Sequence, residues 1–179
     1  MPLELNSDLP APLVPLAWLV GGWAGAGVVG YPTVQEESRF GQEVDFTHDG
    51  RPFLTYASRT WLLDDDGNKV RPLASESGYW RVGGPAEGGG MEVEVLLAHP
   101  TGIVEIYLGS VVGPRVNLAT DIVARTSTAK EYSAATRMYG LVEGDLLWVL
   151  DMAAMGQPLQ SHSSARLKRV DSFAGLGRP

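Results

Sequence analysis

The chain has 179 residues, 44% of them apolar, which suits one domain and is ample for a packed core. A formal net charge of −7 works against phosphate backbones and anionic lipid surfaces, and no Lys/Arg cluster offsets it, so neither nucleic acid nor a membrane is an expected partner. With no cysteine, disulfides and thiolate ligands are excluded, and any metal must be held by nitrogen or oxygen donors.

Leu13 to Val20 is an apolar stretch, but it contains Pro15, follows an acidic start and is too short to span a bilayer. The expected location is therefore cytoplasmic. Pro12 and Pro15 limit the segment Ala11 to Leu19 to a short helix or turn that could plug one end of the fold. Next comes Gly21-Gly22-Trp23-Ala24-Gly25-Ala26-Gly27, one indole among four glycines. Glycine permits positive φ and close backbone approach, so this reads as a strand bending where a barrel closes, stoppered by Trp23. Gly21, Trp23, Gly25 and Gly27 are thus a structural motif, and a β-branched residue at Gly25 is expected to resist a positive φ there.

From there the dominant period is two, the mark of half-buried strands. Val44 to His48 alternates, Asp49-Gly50 turns the chain, and Phe53 to Trp61 returns. Thr60 to Leu63 pairs with Gly78 to Val82 around Asp64 to Asn68. After a flexible Gly88-Gly89-Gly90 turn, Met91 to Leu97 pairs with Ile103 to Leu108 across His99-Pro100-Thr101-Gly102. Further strands are expected at Val116 to Ala124, Lys130 to Met138, Leu146 to Met152 and His162 to Arg169. The sum is about ten short strands, an all-β antiparallel up-and-down barrel occupying residues 1–170, with an unpaired tail over 171–179.

There is no His-Glu-x-x-His, no Gly-x-Ser-x-Gly elbow and no nucleotide fingerprint. Glu36-Glu37 and Asp64-Asp65-Asp66 sit in polar, turn-like settings and read as solvated surface. Three histidines remain. His48 precedes Asp49-Gly50 and His99 precedes Pro100, so both read as turn residues, whereas His162 stands just before a basic strand.

Taken in chain order, Gly21 to Gly27, Tyr31-Pro32-Thr33, Gly50 to Tyr56, Glu76 to Tyr79, Ala98 to Gly102, Thr128 to Glu131 and Gly156 to His162 resemble the nitrobindin family. These are heme-binding β-barrels related in shape to fatty-acid-binding proteins. The resemblance implies one heme b per chain, with His162 as axial iron ligand and catalytic residue, and with Lys130 and Thr33 close enough to contact the heme. It implies that the ferric form binds nitric oxide and converts peroxynitrite to nitrate without an electron donor. Pairing into a homodimer is left open. No distal histidine is identifiable.

Apart from the resemblance, Lys130 reads as a solvated charge and Thr33 as a turn hydroxyl, while Trp23, Trp148 and Met152 fit either core or pocket wall. Along the last strand, His162 shares parity with polar Ser164, Arg166 and Lys168 and not with Leu167, so either the strand starts after it or a bulge resets its facing. Ser163 departs from the apolar residue the family more often has. Two other readings stay open: a carrier of a fatty acid or other apolar molecule, anchored by Arg59, Arg125 or Arg137, and a filled barrel that serves only as an interaction module.

Overall fold

Alternation along each strand sends one set of side chains inward and the other to solvent, and a sheet built this way buries its apolar face by curling onto itself. A computed structural model describes residues 8–170; the tail expected at 171–179 lies outside them. The strands are β1 (Gly21–Val29), β2 (Ser38–Thr47), β3 (Leu54–Leu63), β4 (Lys69–Pro85), β5 (Met91–His99), β6 (Ile103–Val112), β7 (Arg115–Arg125), β8 (Tyr132–Val142), β9 (Asp145–Ala154) and β10 (Gln160–Val170). Each pairs antiparallel with its sequence neighbours, and β1 pairs with β10 to close the barrel. Among the described residues, no helix is long and apolar enough to cross a membrane.

One end is closed by a 3-10 helix, Ala11–Leu19. Pro15 inside it lacks an N–H, so the segment cannot wind as a regular α-helix. Leu13, Leu16 and Leu19 of this plug are fully buried. Arg169 of β10 ties it down, donating from its guanidinium to the carbonyls of Val20 (2.6 Å) and Trp18 (2.9 Å) while lying over the Trp23 ring. Trp23 is fully buried and donates from Nε1 to Leu19 O at 2.8 Å, so it stoppers the closed end as expected.

The reason for Gly25 differs from the expectation. Gly21 has φ +125, but Gly25 does not lie in the left-handed region. Instead β1 lies so close to β10 that a Cβ at Gly25 would strike the carbonyl oxygen of Arg166, and one at Gly27 that of Ser164. Proximity, not dihedral angle, demands glycine there.

Two other departures shape the opposite, open end. β4 begins nine residues earlier than expected, at Lys69 rather than Gly78. Its first half is exposed on both faces and pairs only with β3, which is why it shows no alternation and tolerates Pro72. β8 starts at Tyr132, so Lys130 falls in the loop before it. β7 and β8 hold register only from Arg115 to Ala119, leaving a seam toward the mouth that Thr120 Oγ1 bridges by accepting from Ala135 N at 3.1 Å.

Candidate functional site

The mouth opens into a cavity of about 330 Å3. One wall carries the expected ligand. The register of β10 against β9 jumps between Ser161 and Ser163, which makes His162 the extra residue of a bulge. Past the bulge Ser163, Ala165 and Leu167 are buried, and both His162 and Ser163 line the cavity. The parity conflict in the sequence is thus resolved by the bulge, and Ser163 does face the pocket.

His162 is held on two sides. Its Nδ1 donates to Gly30 O at 3.1 Å, while Gly30 N donates to His162 O at 2.9 Å. That bond fixes the tautomer and leaves Nε2 as the nitrogen with a free lone pair. Tyr31 packs edge-on against the imidazole at 5.6 Å, and its hydroxyl is pinned by donating to Met152 O (2.9 Å) and accepting from Ala154 N (3.0 Å). Burial, helped by the charge of Arg137, pushes the His162 pKa below its usual value and favours the neutral ring that a metal ligand requires. Phe40, Trp148, Leu150 and Met152 give this side flat, apolar walls. Trp23 lies at the plugged end and belongs to the core.

Thr33 and Lys130 are exposed and lie outside the residues that line the cavity. They belong to one rim nevertheless. Thr33 Oγ1 contacts Met155 Sδ at 3.9 Å, and Met155 N donates to Glu131 O at 3.1 Å, which ties the loops after β1, β7 and β9 together above the mouth.

The opposite wall carries a polar cluster that the sequence reading missed. His99 is no turn residue but the last residue of β5, and it continues the inward parity of Val93, Val95 and Leu97. Its Nε2 hydrogen-bonds to Glu105 Oε1. Glu105 also accepts from Tyr107 at 2.5 Å and from Tyr132. Arg137 meets Glu76 in a bidentate pair, 2.6 and 2.8 Å, and donates from Nε to the Tyr107 hydroxyl at 3.0 Å. Tyr56 adds a hydroxyl to Glu76 Oε1 at 2.6 Å. Burial alone would raise both carboxyls, yet the charge and hydrogen bonds of Arg137 hold Glu76 at about 2. For Glu105 the same burial is outweighed by bonds from His99, Tyr107 and Tyr132 and by Arg137. The available signal was a charge on the buried parity of a strand, as in Glu105-x-Tyr107 and Ala135-x-Arg137-x-Tyr139.

His48, by contrast, sits before its turn as expected, and Glu36, Glu37 and Asp64 to Asp66 are exposed.

Comparison with known proteins identifies the family and the barrel fold. Residues 12–169 match the family described as THAP4-like, heme-binding beta-barrel domain. A ferric nitrobindin-like protein of Kineococcus radiotolerans is 58% identical, covering 95% of this chain and 99% of its own. A protein of Leifsonia xyli named peroxynitrite isomerase is 46% identical over 94% of this chain and all of its own. The crystal structure of Rv2717c from M. tuberculosis superposes with a TM-score of 0.77 at 40% identity, covering 91% of this chain and 99% of that one.

Proposed function

The chain belongs to the THAP4-like heme-binding β-barrel family, the nitrobindins, and on that premise we propose that it binds one heme b through His162 and, in the ferric state, isomerises peroxynitrite to nitrate and binds nitric oxide. The observation that carries this reading is the His162 bulge, which turns a neutral imidazole into a cavity beside apolar Phe40, Trp148 and Leu150, with Nδ1 spent on Gly30 and Nε2 free. The donor set fits a heme iron: one nitrogen ligand, no thiolate, and Phe40, Trp148 and Leu150 for a flat macrocycle. When bound, heme would supply a redox-capable metal able to take a diatomic or peroxide ligand.

The chain's own part is presentation. His162 would hold the metal, Gly30 and Tyr31 hold His162, and the apolar wall beside it would limit competition from water. Lys130 on the rim offers its charge to a propionate or an incoming anion, and Thr33 contributes a hydroxyl from the facing loop. The carrier reading lacks an anchor, because Arg137 is saturated by Glu76 while Arg59 and Arg125 are exposed and neither lines the cavity.

Titration with hemin, followed at the Soret band, tests the binding half. Wild type should saturate at one equivalent, and His162→Ala should shift the band and weaken binding. Stopped-flow decay of peroxynitrite with nitrate and nitrite quantified, and no reductant added, tests the other half. Holo-protein no faster than heme-free protein rules out the isomerase.

A further inference from the structure

In the ring of ten strands, β5 stands five places from β10 in either direction. His99 ends β5 at the mouth and His162 lies near the start of β10 at the same mouth, so the two imidazoles enter one cavity from opposite walls. Their surroundings differ. His162 is backed by a carbonyl and an aromatic edge, whereas His99 is backed by carboxylates.

Glu105 of β6 is fixed by Tyr107 and Tyr132 and presents Oε1 to Nε2 of His99. A carboxylate only accepts, so the neutral ring keeps its proton on Nε2. Nδ1 makes no hydrogen bond: Glu76 Oε2 of β4 stands 3.7 Å away, near enough to favour a positive charge on the ring but beyond hydrogen-bond reach. Glu76 is itself occupied by Arg137 of β8. The result is a carboxylate–imidazole pair with one ring nitrogen fixed and the other without a hydrogen bond beside a cavity, the arrangement in which imidazole exchanges a proton with a ligand.

Resting on the heme reading, we propose that His99 is the proton-exchanging residue of the wall opposite His162, and that it serves small protonated peroxides and other weak acids entering the cavity. For a ligand X–O–O–H, the O–H bond breaks, its electron pair stays on oxygen, and an N–H bond forms at His99 Nδ1. The proton later passes to water through the mouth, which restores the ring; no electron changes hands in this step.

Hydrogen cyanide must lose a proton to bind ferric iron as the anion, whereas carbon monoxide binds the ferrous form with no proton to lose. In hemin-loaded protein near neutral pH, His99→Leu and Glu105→Gln should slow cyanide association at least about tenfold while altering carbon monoxide association less than about twofold. His99→Gln, which keeps a polar side chain but no base, should match His99→Leu and covers the case in which the leucine variant fails to fold. In the heme-free protein, nitrogen NMR should find the neutral His99 ring protonated at Nε2. Unchanged cyanide kinetics in folded His99→Gln overturn the proposal, as does equal slowing of both ligands, which marks lost packing, or a ring protonated at Nδ1. Wild-type protein that takes up no hemin, or takes it up regardless of His162→Ala, overturns the heme reading instead, and the NMR result then judges the His99–Glu105 pair alone.

Discussion

Around the plug the inward positions are Leu13, Leu16, Leu19, Trp23, Phe46, Leu54 and Trp80, all fully buried, whereas around the mouth the same inward parity carries Ser58, Glu76, His99, Glu105, Arg137 and Ser163. At the closed end the aromatic rings meet edge to face, Phe46 on Trp80 at 5.3 Å and Trp80 on Tyr139 at 5.1 Å. At the open end two carboxylates, a guanidinium and an imidazole are desolvated together and must satisfy one another. The contrast teaches how one sheet divides its labour. Apolar burial at the plug holds the strands, which lets the mouth keep an arrangement that hydrophobic packing alone would not select.

The largest expected effect comes from breaking the polar half. Arg137→Met leaves Glu76 and Glu105 without their cation and should cost about 3–5 kcal/mol in urea unfolding. Adding Glu76→Gln should recover part of the loss; a double variant no more stable than the single one would mean that charge does not hold the mouth together. Next is the closely packed half. Gly25→Val drives a side chain into the Arg166 carbonyl and should cost about 1–3 kcal/mol by thermal melting. A Gly25→Val protein with a wild-type melt and selective heme loss would contradict the structural role.

Acid sharpens the contrast further. The folded pKa values of Glu76 and Glu105 are depressed, so their stabilisation is present above the unfolded value of about 4.3 and is lost as pH falls below it, for Glu76 down to about 2. The urea midpoint should drop across that window, less steeply in Glu76→Gln, while a pH-independent midpoint would remove the carboxylates from the account. The smallest effect belongs to the rim. Lys130→Ala should weaken hemin retention by no more than about 1 kcal/mol, read from dissociation rates, since an exposed charge is screened.

The closed end was legible because its rules are local. Period-two alternation, with the glycine motif for β1, located at least part of each of the ten strands, and two prolines with an apolar run marked the plug. The mouth was legible only in part. His162 was found through the resemblance, and its facing needed a bulge that depends on β9 as much as on β10. His99 was hidden by Pro100, which reads as a turn even though the parity from Val93 continues through His99. Glu76, Glu105 and Arg137 lie on three different strands, and nothing in their spacing says that they meet. The first half of β4 escaped because solvent on both faces leaves no pattern.

The Ala11–Leu19 coil does more than fill space, since by sealing its end it turns the barrel into a cul-de-sac. Among the described residues the mouth, with its rim of Thr33, Met155 and Glu131, is then the end at which a molecule entering between β10 and β5 comes and goes. Arrivals and departures share that doorway, and a molecule slow to depart is an obstruction to the next.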